Sequence, residues 1–380
     1  MPEQPEKPQK RVTLKDVAAS LGVSTAAVSY AYTRSTRVSA ELRARVLKAA
    51  RNLGYPGPDP AARNLRRGQT GVVGVVLHDP LTDGFAFPST NLFLQGVARV
   101  IEDRSLCLLL IPGTLRKVRN LKSVNGAAVD GLIVYSIDDF DPLVGAVLAR
   151  RVPTVLVDSE AIKQVPTVGI DNEKAAQAAA EHLLELGHRS FAILVTGPKI
   201  GMTSGMLSSD ILQSATSSDF RARLRGYAKA LRKGGISWKE RVSLYNCAEY
   251  GREEGRNAAR TIMGVNPQPT AILAINDQLA LDVMGAIKEM GLRVPDDVSI
   301  VGFDDAPEAA SANPPLTTVH QPHVDKGFWA AQILLALIRR EEPPDPGILP
   351  THLVIRNSTA AAPGTTGQSR RTIRRLTLQR

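Results

Sequence analysis

The sequence predicts a small all-α head followed by a large α/β body of two doubly wound lobes, each built on a parallel sheet. Three observations predict this fold class. Helix signals and a glycine turn fill residues 12–57, strand-like apolar runs alternate with helical segments after Gly71, and Lys and Arg concentrate at both ends of the chain. Strands and helices that alternate in this way are typical of parallel sheets covered by helices on both faces.

Three helices are predicted in the head. Thr13 begins a capping box at the first helix, and Gly22 supplies the turn that reverses the chain. Ser24 caps a second helix, and Ser39 caps a third over residues 41–53. Three short helices with a glycine turn between the first two are typical of a helix-turn-helix unit. An ordinary three-helix segment remains the alternative at this point.

A proline-rich segment, residues 58–70, joins the head to the body. Pro60 suits the first position of a helix, and residues 61–67 can make one or two helical turns. A helix of this length does not persist alone in water. We therefore expect it to form only when DNA or a partner chain stabilises it.

Seven apolar runs predict the strands of the body. They are short and rich in β-branched and aliphatic residues, and the helical segments between them include 173–186, 220–233, 253–263 and 278–290. A Ser/Gly/Met-rich insert follows the fifth run, at 197–219. The predicted strands are 71–77, 105–111, 131–135, 154–157, 190–195, 270–275 and 298–303.

Net positive charge is found only at the two ends of the chain. Residues 1–70 hold thirteen Lys and Arg against five acids, and residues 356–380 hold six Arg and no acid. The whole chain carries only +10, so the residues between these ends are mildly acidic. A basic head and tail on an acidic body favour a nucleic-acid partner, although a basic surface also serves solubility.

Cysteine usage and hydropathy predict a cytoplasmic protein. Cys107 and Cys247 are far apart and lack CxxC spacing, which is typical of reduced thiols. No apolar run approaches the roughly 18 to 20 residues that span a bilayer. The polar, proline-rich start also lacks the apolar segment of a secretion signal. We expect a cytoplasmic, nucleoid-associated protein without a membrane partner.

Ordered motifs run through about residues 11–358. In the head they are 12–18 (VTLKDVA), 22–24 (GVS), 28–29 (VS) and 38–39 (VS), and in the body they are 129–133, 187–189, 274–277 and 294–305. Together with the 58–70 segment they resemble the LacI/GalR family of bacterial transcriptional regulators. The resemblance implies a lambda-repressor-like head at 12–57, a hinge helix at 58–70 and a periplasmic-binding-protein-like (type I) core at 71–355. It leaves disordered tails at 1–11 and 356–380.

The resemblance implies that a homodimer binds a pseudo-palindromic operator in double-stranded DNA. Small hydroxyl side chains would hold phosphates, the start of the second helix would meet base edges, and Leu65 would enter the minor groove as an apolar wedge. A dimer is favoured over a tetramer, which stays open, because Leu376 and Leu378 in the Arg-rich tail do not resemble a tetramerisation helix. The expected DNA-binding residues are Thr13, Ser24, Thr25, Ala26, Ser29, Tyr30, Thr33, Ser39, Ala62, Arg63, Leu65 and Arg66.

Other roles remain open for some of these residues. Helix capping is an alternative for Ser24 and Ser39, packing against the third helix for Tyr30, and burial against its own lobe for Leu65. The head also departs from the family, in which many members have Arg at the position of Tyr30. A bidentate contact from that position to guanine is therefore unavailable.

The resemblance also implies a small-molecule effector bound between the lobes. Carboxylates, an amide and a guanidinium beside an aromatic wall suit a sugar or a related polyol. The guanidinium would equally suit a carboxylate, and a nucleoside is a further alternative for the effector. Loop capping is the alternative for Asn276 and Asp304, and a core position for Phe87. The expected effector-binding residues are Asp79, Phe87, Asp158, Arg223, Asn276 and Asp304.

Two other classes of protein are weighed against this reading. A periplasmic solute-binding protein shares such a body. Such a protein has a secretion signal and no basic head, whereas this sequence has a basic head and no recognisable secretion signal. An enzyme is not expected, because the sequence has no GxGxxG after a strand, no P-loop, no GxSxG elbow and no HExxH. No cofactor and no metal are expected either, since His320 and His323 lack supporting ligands.

Overall fold

The computed structural model describes residues 12–32, 36–57, 68–78, 80–115, 118–138, 141–196, 202–211, 215 and 217–364. The described residues divide into two compact units between Gly71 and Val72. Several predicted features lie outside them: the tails at 1–11 and 365–380, the hinge segment from 58 to 67 with Ala62, Arg63, Leu65 and Arg66, and the site residues Thr33 and Asp79.

The first unit is the predicted three-helix head. Its helices are α1 (Leu14–Leu21), α2 (Thr25–Tyr32) and α3 (Ala40–Asn52). Val17, Val28 and Val46, one from each helix, are fully buried and pack together in its core. Gly22 ends α1 with φ 63°, a left-handed conformation that glycine adopts without steric cost. The turn and the helix order are those of a helix-turn-helix.

The second unit alternates strands and helices. None of the helices in the described ranges is long and apolar enough to cross a membrane. Its elements are β1 (Val72–Leu77), α4 (Leu81–Ala86), α5 (Pro88–Glu102), β2 (Cys107–Pro112), β3 (Thr114–Leu115), β4 (Val118–Arg119), α6 (Leu121–Gly126), β5 (Gly131–Tyr135), α7 (Pro142–Ala149), β6 (Thr154–Val157), β7 (Thr167–Val168), α8 (Asn172–Glu185), β8 (Phe191–Thr196), β9 (Gly205–Met206), α9 (Ser218–Lys233), α10 (Trp238–Arg241), β10 (Val242–Cys247), α11 (Arg252–Met263), β11 (Ala271–Ala274), α12 (Asp277–Glu289), β12 (Ser299–Asp304), α13 (Pro307–Ser311), β13 (Thr317–His320), α14 (His323–Arg339) and β14 (His352–Val354).

Two sheets define two lobes. Lobe 1 contains the parallel sheet β2-β1-β5-β6-β7, helices α4 to α7 and the returning helix α14. Lobe 2 contains the sheet β14-β13-β12-β11-β8-β10-β9 and helices α8 to α13. Its inner strands are parallel, and β9 and β14 join its edges in the antiparallel direction. These lobes confirm the predicted fold class.

Three connections, the crossovers, pass from one lobe to the other. They are residues 169–171 between β7 and α8, 321–322 between β13 and α14, and 340–351 between α14 and β14. The first and third crossovers are joined to each other, since Ile170 and Leu349 form a parallel bridge and the Leu349 amide donates to the Gly169 carbonyl oxygen at 3.0 Å. The lobes are therefore linked by a bonded hinge rather than by separate loose loops.

Helices α5 and α14 cross in lobe 1 with almost no space between their backbones. A Cβ atom added at Gly96 would overlap the carbonyl oxygen of Val324, and one added at Gly327 would overlap the carbonyl oxygen of Phe93. Only glycine permits so close an approach. The crossing fixes the start of α14, where the buried polar side chains of His323 and Lys326 lie.

All seven predicted strands are present, within two residues of their predicted ends. Four strands of the second sheet were not predicted, β9, β10, β13 and β14, and the longest two of them are β10 and β13. The sequence of β10 (VSLYNC) mixes polar with apolar residues, and that of β13 (TTVH) is short and hydroxyl-rich. Most residues of both strands are buried in lobe 2. They are strands because of this burial and not because of an alternating or apolar pattern in their sequences. The 197–219 insert contributes β9, which pairs with β10.

The expected disorder from residue 356 onward is wrong for the beginning of that segment. The Ser358 hydroxyl is buried, donates to the Ile300 carbonyl oxygen at 2.6 Å and accepts from the Thr317 amide at 2.8 Å. Arg356 Nη2 lies 2.6 Å from Asp305 Oδ1. Polar composition suggested a tail, but these side chains are paired inside lobe 2, which continues at least to Ala362.

Candidate functional site

The start of α2 presents an exposed face in the head. Thr25 and Ala26 are exposed at its first two positions, while Val28 and Ala31 on the opposite side are buried. Tyr30 is four residues after Ala26, so both lie on one face of the helix. Short side chains followed one turn later by an aromatic ring suit contact with base edges and thymine methyl groups in a major groove.

Hydroxyl groups at the helix starts serve as caps. Ser24 Oγ accepts the Ala27 amide at 3.1 Å, and Ser39 Oγ accepts the Leu42 amide at 3.2 Å. The Thr13 amide and hydroxyl both donate to Asp16 Oδ2 at 2.7 Å. Ser24 and Ser39 are nevertheless exposed, and each hydroxyl can still donate its own hydrogen. Capping and phosphate contact are therefore compatible at both positions. Ser29 is half-buried on α2.

Tyr30 is held by an arginine that sequence reasoning missed. Arg37 Nη1 donates to Tyr30 Oη at 2.9 Å, and the guanidinium carbon lies 5.3 Å from the centre of the tyrosine ring. Arg37 is exposed in the connection between α2 and α3. The arrangement puts a positive charge beside the proposed reading face, where phosphates would pass.

The candidate effector site lies where strands of both lobes end. Asp158 follows β6 of lobe 1, whereas Asn276 follows β11 and Asp304 ends β12 in lobe 2. In doubly wound sheets, ligands bind at the carboxyl ends of the strands. Asp158 and Asp304 have backbone φ values of 49° and 129°, which residues other than glycine rarely adopt. Backbone strain of this kind is concentrated at functional sites.

An aromatic pair spans the two lobes. The ring of Phe87 in lobe 1 lies 4.8 Å from that of Tyr250 in lobe 2, at an interplanar angle of 67°. Asn276 Nδ2 donates to Tyr250 Oη at 2.9 Å, while Asn276 Oδ1 caps α12 by accepting the Leu279 amide. Phe87 is half-buried, which suits a wall better than a core. Tyr250 follows β10, one of the strands that the sequence did not predict.

A chain of polar contacts runs across the middle crossover. Lys326 Nζ lies 2.8 and 2.7 Å from the two carboxylate oxygens of Asp158 and 2.5 Å from Gln321 Oε1. Gln321 Nε2 in turn donates to Asp304 Oδ1 at 2.6 Å. Lys326 has no exposed surface, and these three acceptors match its three N–H groups. This relay, Asp158–Lys326–Gln321–Asp304, joins a predicted site residue of lobe 1 to one of lobe 2.

Arg223 is fixed on all sides in lobe 2. Its Nε donates to Asn172 Oδ1 at 2.9 Å and its Nη1 to the Ile275 carbonyl oxygen at 2.7 Å. The guanidinium stacks 3.8 Å from the centre of the Phe303 ring, and Nη2 lies 3.8 Å from Asp219 Oδ2. A side chain with so many partners is preorganised.

Burial changes the protonation of the groups beside Arg223 and Lys326. It raises the pKa of Asp304 to about 7, although Arg223, Gln321 and Lys326 act in the opposite direction. Burial also lowers the pKa of His323 well below its ordinary value, and the positive charges of Lys326 and Arg223 lower it further. At neutral pH the imidazole is therefore uncharged.

Two separate groups of contacts hold four of the six predicted effector residues, Phe87 with Asn276 through Tyr250 and Asp158 with Asp304 through Lys326 and Gln321. Arg223 donates to the carbonyl oxygen of Ile275, the residue before Asn276. Sequence reasoning missed Tyr250, Gln321, His323 and Lys326. Gln321 follows β13 immediately, as other site residues follow their strands, but β13 itself was not predicted, so this position was not a usable signal. No group of three or more His, Cys, Asp or Glu in the described ranges is placed to hold a metal ion.

Comparison with known proteins agrees with this architecture. Residues 13–57 match the model of bacterial regulatory proteins of the lacI family, and residues 180–359 match that of the periplasmic binding protein-like domain. The chain is 37% identical over 364 residues to an HTH-type transcriptional regulator of Mycobacterium tuberculosis, covering 94% of this chain and 99% of that one.

Solved structures extend the likeness over both units. The lac repressor dimer bound to operator and the anti-inducer ONPF is 27% identical, with a TM-score of 0.73 over 93% of this chain and 100% of that one. The complex of the transcriptional regulator CelR with cellobiose is 28% identical, with a TM-score of 0.63 over 92% and 100%. Transcriptional regulators are a non-enzymatic class. The chain belongs to the LacI family, and it is a DNA-binding transcriptional regulator.

Proposed function

We propose that this protein is a repressor that binds a pseudo-palindromic operator as a homodimer, and that an uncharged polyhydroxylated molecule in the cleft changes its affinity for DNA. The molecule binds and leaves unchanged, so the protein acts as a sensor and not as an enzyme. Because its target is chromosomal DNA, the proposal places it in the cytoplasm, at the nucleoid.

The main observation in favour of an uncharged effector is that the buried cations of the candidate site are paired with carboxylates. Among the described residues, the buried Lys326 is paired with Asp158, and the buried Arg223 lies beside Asp219. An anionic effector would need a cation without such a partner, because desolvated charges bind well only when they are compensated. Paired charges still offer directional donors and acceptors to hydroxyl groups.

The aromatic pair supports the same class. The Phe87 and Tyr250 rings offer an apolar surface beside the polar groups, which suits the two-sided character of a sugar ring. CelR, the relative seen with cellobiose, binds a ligand of this kind. We therefore favour a sugar or a related polyol over a carboxylate.

On the DNA side, the proposal assigns residues 12–57 to the reading head and 58–70 to a hinge helix. Thr25, Ala26 and Tyr30 would meet bases, and Thr13, Ser24, Ser29, Thr33 and Ser39 would meet phosphates. Ala62, Arg63, Leu65 and Arg66 would contact the minor groove, with Leu65 as the wedge. A Leu65→Ala variant should bend and bind operator DNA less well than the wild type.

Effector control requires only that the ligand prefers one arrangement of the lobes. If this arrangement disfavours pairing of the two hinge helices, the ligand lowers DNA affinity by the coupling free energy, typically about 1 to 3 kcal/mol. The relay across the middle crossover is a physical route by which occupancy at Asp304 reaches lobe 1.

The experiment combines ligand and DNA binding. Thermal shift of the purified full chain would be recorded with D-ribose, D-glucose, cellobiose and sugar acids, and fluorescence anisotropy would measure binding to its upstream DNA with and without each compound. We expect a neutral sugar to raise Tm and to change DNA affinity roughly 5- to 150-fold. A preference for sugar acids would contradict the effector class, and equal affinity for promoter and bulk DNA would contradict the whole proposal.

A further inference from the structure

His323 is a buried side chain whose polar atoms have nothing to bind. Only 4% of it is exposed, and neither Nδ1 nor Nε2 has a hydrogen-bond partner. The nearest acceptor, Asp304 Oδ1, lies 3.8 Å from Nε2, too far for a hydrogen bond. Buried polar groups without partners are rare in folded proteins, because each keeps the full cost of losing its water.

A buried polar neighbour on the same helix, Lys326, has a full set of hydrogen-bond partners. Lys326, one turn along α14 from His323, is also buried, yet all three of its N–H groups have acceptors. The lack of partners at His323 is therefore not a general feature of this helix start. The unpartnered ring of His323 lies near Asp304 and Arg223, and both of these are predicted effector residues.

We infer that His323 is a specificity-determining residue of the cleft, and that its two ring nitrogens take hydroxyl groups of the bound effector. The inference rests on the proposed function, and it adds a contact that reads the chemistry of the ligand. The uncharged imidazole has one N–H donor and one bare nitrogen acceptor. One hydroxyl group can accept from the first, and a separate hydroxyl group on the other side of the ring can donate to the second.

The surrounding groups exclude other ligand chemistry at this point. Burial lowers the pKa of the ring and so keeps it from gaining a proton, and the electrostatic effects of Lys326, Arg223 and His320 act in the same direction. Asp304 is the acidic group that faces Nε2. A carboxylate could not donate to the bare nitrogen, and an ammonium group could not accept from the N–H. A hydroxyl oxygen at about 2.8 Å from both His323 Nε2 and Asp304 Oδ1 fits geometrically, since those atoms are 3.8 Å apart.

The first test needs no ligand. His323→Leu and His323→Phe remove the unpartnered nitrogens and keep an apolar side chain of similar size. We expect the Tm of the full ligand-free protein to stay constant or rise in at least one of these variants, whereas Lys326→Met should lower it. If both His323 variants lower Tm as much as Lys326→Met does, the ring is a structural group and the inference is overturned.

The second test uses the sugars that bind the wild type among D-ribose, D-glucose and cellobiose. We expect both His323 variants to lose at least tenfold in affinity, measured by calorimetry. His352→Leu is the matched control, because it removes an exposed histidine of β14 and should leave affinity unchanged.

The outcomes separate the inference from the function on which it rests. Equal affinity in the wild type and in the His323 variants overturns the inference and leaves the proposed function intact. Failure of the wild type to bind any neutral sugar overturns the effector class and the inference with it.

Discussion

At the scale of single residues, a buried lysine organises the cleft. Lys326 is isolated from water and bridges Asp158 and Gln321. Removing a charge from water is costly, and the cost is offset only when partners replace the lost solvent. The ammonium group and the carboxylate therefore depend on each other, and the loss of one leaves the other unpaired inside the protein.

Lys326→Met should strongly destabilise the second unit. The Asp158 carboxylate would remain buried without its cation, at a cost of about 3 to 5 kcal/mol in the free energy of unfolding. Urea unfolding followed by circular dichroism would measure it. Lys229→Met is the control, because Lys229 and Glu173 form an exposed pair whose loss should cost less than about 1 kcal/mol. Equal effects in the two variants would contradict the role of burial.

Tyr30→Ala should weaken operator binding at particular base pairs. The ring lies on the exposed face of α2, one turn from Ala26, and Arg37 holds it there. We expect a loss of about 1 to 3 kcal/mol confined to one or two positions. Anisotropy titrations with single-substituted operators would measure the pattern, and Tyr30→Phe would isolate the hydroxyl contact with Arg37. A uniform loss on every sequence would argue against base reading.

The sequence located some site residues and missed others for a physical reason. Asp158, Asn276 and Asp304 are polar residues directly after apolar strands, so strand prediction alone brings them to one edge. Lys326 and His323 occupy the start of a helix, where a polar residue ordinarily faces water. Their burial depends on packing between lobes that no local pattern encodes.

At the scale of elements, the crossing of α5 and α14 depends on two glycines. Each glycine lies against a carbonyl oxygen of the opposite helix. The crossing holds α14 on the sheet of lobe 1, although the helix follows a strand of lobe 2 in the chain. The amphipathic pattern of α14 shows that it has a buried face but does not say which sheet covers it.

Gly96→Ala should destabilise the protein, because the new methyl group would overlap the Val324 carbonyl oxygen and push the helices apart. Overpacking of this kind costs about 1 to 3 kcal/mol. Gly145→Ala in α7 is the matched control, since nothing lies within 4 Å of its added Cβ atom. There the better helix propensity of alanine should stabilise the protein by up to about 1 kcal/mol. Unfolding experiments that gave both variants the same sign would contradict the close crossing.

Strand prediction succeeded where burial on both faces makes the strand uniformly apolar. It failed for β10 and β13, which carry buried polar side chains that bond to tertiary partners. Asn246 of β10 donates to the Thr203 carbonyl oxygen, and Thr318 of β13 donates to Asp277. Such partners come from distant parts of the chain and leave no periodic signal.

At the scale of the whole molecule, two histidines fasten the carboxyl-terminal segment to lobe 2. His188 contacts Thr270 Oγ1 and the Ala360 carbonyl oxygen, each at 3.0 Å, and His182 Nε2 lies 3.0 Å from Thr359 Oγ1. Burial lowers the pKa of both rings to about 4. Both are therefore neutral in the folded protein at pH values where the unfolded chain is already protonated.

This difference should make the segment sensitive to acid. The unfolded chain takes up protons as the pH falls through about 6.5, and the folded protein does so only near pH 4. The contribution of His188 is thus complete above pH 6.5 and is lost as the pH falls toward 4. The raised pKa values of Asp277 and Asp304 oppose this trend, since they favour the folded protein at lower pH.

Comparison with a variant isolates the histidine. The difference in unfolding free energy between the wild type and His188→Gln should shrink by about 2 kcal/mol between pH 7.5 and pH 4.5. Urea titrations at several pH values would measure it. A difference that stays constant with pH would show that the ring does not resist protonation in the folded protein.

The position of this anchored segment has a practical consequence. Ala362 is bonded to the Leu186 carbonyl oxygen just before β8 begins, whereas the cleft lies where the strands finish. A dye, a biotin group or a surface tether attached at residue 364 would thus lie at the pole of lobe 2 opposite the strand ends that form the site. Biosensor measurements on protein immobilised in this way would leave the mouth of the cleft open to small molecules.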